Sequence, residues 1–489
     1  MDRRVAQGLS PGGRSGRSTT SSALVSIGVG IGLALAALVV YSLTNPHRFY
    51  DHFEWQAEAF LEGEAAIRYP VEASGSSPGN AFFQDVMEVP SDDGIPRAII
   101  PFPPLPAIVL LPFVAAWGRD ADGQAIFAII AALDVSIAWW LLGLIPIRTS
   151  IRFLGTVFFG FGTVFWYAAQ LGTTWYQAHV LAVGLALLAV GLAIKGDRDA
   201  AFDEDDPIQV PTENRSERAA TRPAFLRRAI DGRQFFAGLL FGLACTSRLT
   251  MVFAAPFFLL VGPGGSWKRR GISAALGAAI PLAALVLYNI VSTGDPFNPA
   301  YEHLYRLEAG FYTPLGYNLD WGIEDPRYLP NNLGIMLFST PVVAPDVVPA
   351  ALGTGERLCL EPGAVRGLFN EACPIALPRD IGMSVLLVSP GYLLAWPALR
   401  SLWGRSRLVT GAALAVLLIA VINLMHFSQG WVQFGYRFSN DFVPWALVLV
   451  ALGAARIRSR RAIGIAVALV VLSVAVNLWG VVWGNLLGW

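Results

Sequence analysis

Apolar runs of spanning length recur along this chain, separated by short basic breaks and by two long polar stretches. In order, they predict membrane helices near 23–43, 124–146, 152–168, 175–194, 230–246, 250–265, 272–292, 381–398, 408–426, 440–455 and 462–485, eleven in all. About 20 apolar residues in a helix cross the hydrocarbon layer. The two runs on either side of Thr246-Ser247-Arg248 are the shortest, near the lower limit for a crossing. Pro101 to Gly118 is apolar too, but Pro101, Pro103, Pro104 and Pro106 argue for a segment that dips into the outer leaflet or lies on it. Leu333 to Val343 is too short to span and reads as a dip or a cap. The expected fold class is an all-α polytopic membrane protein of about 11 transmembrane helices, with interfacial helices and two long external loops.

Just past the first run the pattern changes period. From Phe49 to Gly63, Asp51, Glu54, Glu58 and Glu62 line one helical face while Phe49, Phe53, Ala57 and Phe60 line another. That pattern predicts a helix lying on the membrane surface. Its acids are either a solvated face or carboxylates placed for chemistry, and periodicity does not choose between the two.

Hydrophobic residues make up 54% of the 489 and charged residues only 14%, which excludes a soluble domain of this size. The net charge of zero says nothing about partners, but the distribution of charge does. With the amino terminus inside, every second loop carries a basic cluster: Arg148 and Arg152, the 195–233 segment, Lys268 to Arg270, Arg400 to Arg407, and Arg456 to Arg461. Together with the tail, 24 of the 35 basic residues then fall inside. A full crossing at 101–118 would reverse every later loop. The layout is a cytoplasmic tail (1–22), a membrane domain (23–292) with external loop 44–123 and cytoplasmic loop 195–233, an external loop (293–380), and C-terminal membrane helices (381–489). Segment 195–233 mixes acids and arginines with few apolar residues and reads as a loosely held loop. Cys245 sits in an apolar run as a small hydrophobe. Cys359 and Cys373 share one polar loop, either as a disulfide or as two free thiols. Gly28 and Gly32 form a close-packing motif in the first run.

Under this topology one face collects Asp51, Glu54, Arg68, Asp85, Asp92, Asp93, Arg97, Thr173 to Gln177, Arg248, Tyr288, Asn289 and Trp431 to Asp441. A carboxylate base, arginines for a phosphate and aromatics for a sugar ring make a transfer site. Short flanking spans would sink Arg248 below the outer surface, and the start of the next helix would aim free N–H groups at the same place. The other reading of Arg248 is an arginine snorkelling to water or paired with an acid. Arg437 and Asp441 stand four apart, as in a helical ion pair. Asp85, Asp92 and Asp93 lie among Pro90, Gly94 and Pro96 and read as turn residues. Trp166, Trp175 and Trp431 suit an interfacial aromatic belt. Asp134 is an acid placed inside a span.

The order of these motifs resembles the integral membrane glycosyltransferases of the C-type (GT-C) fold, in particular the protein O-mannosyltransferase and aminoarabinose transferase group. Asp51 heads Ala57-Glu58-Ala59-Phe60-Leu61-Glu62-Gly63. Phe102-Pro103-Pro104-Leu105-Pro106 runs to Trp117-Gly118. Gly242-Leu243-Ala244 precedes Ser247-Arg248, Tyr288-Asn289 precedes Gly294-Asp295-Pro296, and Ser389-Pro390-Gly391 precedes Gly435-Tyr436-Arg437 and Pro444.

The resemblance implies a glycosyltransferase of a bacterial plasma membrane that takes a sugar from a polyprenyl-phosphate donor, with a glycan, lipid or protein acceptor and membrane lipids around it. It implies Asp51 as the base of an inverting displacement. Arg248 and Arg437 would hold the leaving phosphate, and Arg97, Arg68, Tyr288, Asn289 and Glu54 are further substrate candidates. That family often adds an acid beside the aspartate and another after the third span, whereas here His52 follows Asp51 and Thr173 to Gln177 holds no carboxylate. No ligand spacing of histidine or cysteine and no nucleotide-binding loop is present, so no metal and no cofactor beyond the lipid-linked donor is expected, and no nucleic acid. A transporter or flippase of lipid-linked sugars is the competing class.

Overall fold

Side-chain caps start the long helices where the polar breaks fall. Asp122 accepts from the Ala125 N–H, Asp231 from Arg233 and Gln234, Ser266 from Arg269, Ser406 from Val409, and Ser459 from Ala462. In the computed structural model residues 16–47, 51–68, 86–90, 94, 97–204, 230–311, 318, 320–345, 359, 364–402, 406–430 and 432–489 are described, the side chains of 16–22, 199–204 and 307–311 excepted. The helices are α1 (Gly16–Thr44), α2 (His52–Leu61), α3 (Leu105–Trp117), α4 (Gly123–Gly143), α5 (Thr149–Phe161), α6 (Phe165–Leu171), α7 (Thr174–Glu204) and α8 (Gly232–Cys245). There follow α9 (Pro256–Leu260), α10 (Trp267–Thr293), α11 (Ala300–Phe311), α12 (Leu329–Phe338), α13 (Val385–Val388), α14 (Trp396–Leu399), α15 (Arg407–Met425), α16 (Val443–Ala454) and α17 (Arg460–Leu486).

Six of these helices are long and apolar enough to cross a membrane, and α5 with α6 makes a seventh candidate bent by 51°. The other expected spans exist as shorter or broken pieces, so among the described residues long helices do not account for all of the expected eleven. The run 250–265 is a 3-10 segment (Leu249–Ala254) followed by α9, and 381–398 is α13, a 3-10 turn (Pro390–Ala395) and α14. Proline is the local reason: Pro256, Pro390 and Pro397 each stand at the start of a new helical segment. α7 runs on to Glu204, past the expected loop boundary at 195, and 205–229 lie outside the described residues.

The fold is also not purely helical. β1 (Ile67–Arg68), β3 (Arg97–Ile99) and β2 (Met87–Val89) form an antiparallel sheet in that spatial order, and β4 (Val342–Val343) pairs β5 (Ala376–Leu377). Ile67, Val86, Ala98 and Ile100 bury beneath Trp55 and Phe102. Strands this short leave too few alternations to register in a polar loop. In the second long loop Cys359 and Cys373 are joined in a disulfide, and Trp483 on α17 donates to the Leu368 carbonyl.

Apolar side chains on α1 (Leu24, Val25, Ile31, Leu35) and on α17 (Ile465, Val471, Leu472) are exposed along most of each helix, a surface suited to lipid. The face of α1 that packs inward holds Ala37, Tyr41 and Gly30, which abuts Ser136 and Trp139, whereas a side chain added at Gly28 or Gly32 would meet nothing within 4 Å of its Cβ. α8 crosses α10 closely because Gly238, Gly242 and Gly277 lie against bare backbone.

Basic residues gather at one end of the bundle. Arg407 pairs with Asp197 at 3.2 Å, Arg270 donates to the Leu259 carbonyl, and Arg456 donates to the Pro397 carbonyl. The opposite end carries α2, α3, the start of α7 and the ends of α1 and α17, where Asn485 donates to the Thr44 carbonyl. α3 is only about 20 Å long at 1.5 Å per residue. Phe102 before it and Arg119 after it both contact α2, so its two ends lie at the same end of the bundle.

Candidate active site

The start of α7 joins two groups of polar side chains. On one side Thr174 Oγ1 meets His52 Nδ1 at 2.9 Å and Gln177 Nε2 donates to Glu54 Oε1 at 3.3 Å, tying α7 to α2. On the other, Tyr176 lies 5.8 Å from the Arg437 guanidinium and His179 lies 3.0 Å from Asp441 Oδ1. Helical spacing produces the division, since 174 and 177 share one face of α7 while 176 and 179 share the next.

The expected surface helix is in fact packed in. His52, Phe53, Glu54, Gln56, Ala57 and Ala59 of α2 are all buried beneath α3, α7 and the small sheet. Its polar residues find partners on other elements: Gln56 donates to Tyr288 Oη at 3.0 Å, and Glu58 binds Arg119 at 2.9 Å, with that guanidinium over Trp55. Glu62 stays exposed. Glu54, expected on the solvated face or against substrate, is 2% exposed. Burial first, then Asp51 and Asp122, push its carboxyl up to about 8. Asp51 occupies the N-cap position of α2, half-buried, and does not use its side chain as the cap.

The arginine group is organised by Asp441. Arg248 donates to it twice, Nε to Oδ1 and Nη2 to Oδ2, both at 3.0 Å; Thr250 Oγ1 donates at 2.7 Å and Asn423 Nδ2 at 3.2 Å. Burial opposes ionisation of Asp441, but Arg248 and His179 outweigh it and hold the carboxyl well below the usual range. Burial likewise opposes the charge on Arg248, which Asp441 and Tyr301 stabilise. The expected Arg437 to Asp441 pair does not form. Residues 437–441 are a 3-10 helix, in which positions three apart eclipse and positions four apart do not share a face. Nor does a full α-helix begin after Arg248, because the short 3-10 segment there aims no helix start at the site.

Arg437 has no carboxylate within ion-pair distance among the described residues, and its Nε is buried without a hydrogen-bond partner. Its guanidinium and that of Arg248 each lie 5.3 Å from the ring of Phe438, so the two cations stand no more than about twice that distance apart. Arg248 spends two of its five N–H groups on Asp441, leaving the Nη1 edge for another acceptor. Tyr176 Oη, Asn440 Nδ2 and Tyr436 Oη are also buried and unsatisfied around this spot. Phe102 links the halves: its ring contacts His52, Trp175 and Tyr301 within 6.5 Å.

No family model matches this chain, and no curated protein matches it. Among solved structures the chain is similar to the crystal structure of the Archaeoglobus fulgidus oligosaccharyltransferase in the apo form, with 11% identity and a TM-score of 0.40 over 92% of this chain. This chain spans 56% of that one, about half its length.

Other sequence candidates fall elsewhere. Arg68 and Arg97 face one another across β1 and β3 and share Glu64, at 3.7 and 3.2 Å, on the sheet beyond α2. Asn289 donates to the Pro296 carbonyl and shapes the end of α10, while Tyr288 holds Gln56. Asp85, Asp92, Asp93 and Trp431 lie outside the described residues. His179, Thr250 and Asn423 were missed as site residues. A lone histidine or asparagine inside an apolar run was the available signal, since such groups stay buried only with partners. No group of three or more His, Cys, Asp or Glu side chains among the described residues could hold a metal ion.

Proposed function

We propose that this chain is a membrane glycosyltransferase that moves a sugar from a polyprenyl-phosphate donor to an acceptor at the external face, the end of the bundle away from the basic loops. Arg437 carries the reading: a cation with no carboxylate partner among the described residues, partly buried beside the Arg248–Asp441 pair, is a place made for an anion. A sugar phosphodiester suits it, because Phe102, Trp175 and Tyr301 supply a cluster of rings beside His52 of α2.

In the reaction, Asp51 accepts the acceptor's O–H or N–H proton as that atom bonds to the anomeric carbon from one side. The bond from that carbon to the phosphate oxygen breaks on the other, and its electron pair leaves with the polyprenyl phosphate, inverting the configuration. Arg437 and the Nη1 edge of Arg248 meet the charge that develops on the phosphate. Asp441 is no base, since its oxygens are already filled by donors.

Membranes holding the protein are expected to transfer a radiolabelled sugar from polyprenyl phosphate. Asp51→Asn should lower the rate about a hundredfold or more with the fold intact. Arg437→Gln should weaken donor binding about tenfold, roughly 1.4 kcal/mol. Transfer that survives Asp51→Asn removes Asp51 as base. Movement of the lipid-linked sugar across the bilayer without transfer favours the flippase, for which Asp134, buried against Gly184 with Oδ2 unsatisfied, is the motivating residue.

A further inference from the structure

Glu54 and Gln177 are joined by a single hydrogen bond, from Gln177 Nε2 to Glu54 Oε1. The other atom of each group, Glu54 Oε2 and Gln177 Oε1, is buried and has no hydrogen-bond partner among the described residues. Both are acceptors when the carboxyl is ionised, and two buried unsatisfied acceptors cost a few kcal/mol of lost hydration. One added proton changes this. A carboxylic acid and a primary amide that already share one N–H to O bond close a two-point ring when the second carboxyl oxygen carries hydrogen and donates to the amide oxygen.

We propose that Glu54 is held as the carboxylic acid and closes this reciprocal pair with Gln177, fixing α2 to α7 so that Asp51, at the start of α2, stands at a set position. Glu54 is then a positioning residue, not a group that touches substrate, and its part in transfer rests on the glycosyltransferase reading above. The charges around it favour the acid form. Asp51 on its own helix and Asp122 at the cap of α4 both raise its carboxyl. Arg119, the nearby cation, is committed to Glu58, and Arg68 to Glu64. α7 presents Thr174 and Gln177 to this face, neither of them charged, and His52 is turned to Thr174. Gly123, the first residue of α4, presses on the carboxyl and leaves no room for a side chain there. Loss of the proton in alkali leaves two acceptors facing a crevice that water does not reach, and the tie between α2 and α7 loosens.

The test uses the full-length protein in lipid nanodiscs. Infrared difference spectra of wild type against Glu54→Gln should show a protonated carboxyl stretch near neutral pH that disappears above about pH 9, and Gln177→Leu should shift that band to higher frequency as its hydrogen bond is lost. In the pH profile of transfer, wild type should decline as pH rises through about 8, whereas Glu54→Gln, which keeps both hydrogen bonds as an amide pair, should not. Absence of the protonated band at neutral pH overturns the proposal. So does a Glu54→Gln variant with intact fold that is as inactive as Asp51→Asn, since Glu54 would then take part in the reaction itself. If wild type transfers no sugar, the glycosyltransferase reading fails while the infrared bands still decide the protonation of Glu54.

Discussion

Glu54 and Asp441 are carboxylates at the same end of the bundle, 2% and 0% exposed, and their surroundings drive them in opposite directions. Asp441 is met by a two-point guanidinium, a hydroxyl, an amide and an imidazole, and stays ionised. Glu54 receives one amide N–H and faces two further acids, and its carboxyl rises to about 8. Burial is common to both, so burial alone does not set the charge of an acid. The number and sign of the groups that reach it do.

The sharpest way to break this contrast is to remove one half of the ion pair. Asp441→Leu strands Arg248 and should cost about 3–5 kcal/mol, whereas Arg248→Met with Asp441→Leu should recover much of that loss in denaturant unfolding. If the single and double variants are equally unstable, the pair does not organise this region.

The pH dependence of stability should separate the two acids next. Glu54 has its folded value raised, so its contribution is fully present below its ordinary value of 4.5, falls as the unfolded chain ionises, and is lost above about 8. Asp441 has its folded value lowered, so its contribution is present above the ordinary carboxylate range and is lost as pH falls through it toward the lower folded value. Wild type should therefore lose stability as pH falls below the ordinary carboxylate range and also as it rises from about 4.5 to about 8, and Glu54→Gln should remove the second decline alone. A smaller effect is expected from Gly123→Ala, whose added methyl collides with the Glu54 carboxyl and should destabilise by about 1–3 kcal/mol. Smallest is Thr250→Val, which takes one donor from Asp441 and should cost about 1 kcal/mol; no change in unfolding would mean that the hydroxyl is redundant there.

The long apolar helices were legible because their signal is local and strong: α4, α7, α10, α15 and α17 fall close to the runs that foretold them. The broken segments were not, because an apolar run reads alike whether it forms one helix or a 3-10 turn followed by a short one, as at 250–265. In the site, Arg248 and Arg437 were marked by charge in apolar surroundings, and the fold brings both to the Phe438 ring. Arg68 and Arg97 carried the same signal and instead meet Glu64 on a sheet whose strands are too short to foresee.

By itself the sequence determined that most of the chain is apolar helix, where the basic breaks lie, and which polar residues interrupt the apolar runs. Those are properties of neighbours along the chain. Tertiary structure alone decided that α2 is packed in rather than lying on a surface, that Asp441 takes Arg248 from 193 residues away instead of Arg437 four residues off, and that Glu54 faces an amide. The charge state of a buried group depends on which distant side chains packing brings within about 3 Å, and periodicity carries no record of that.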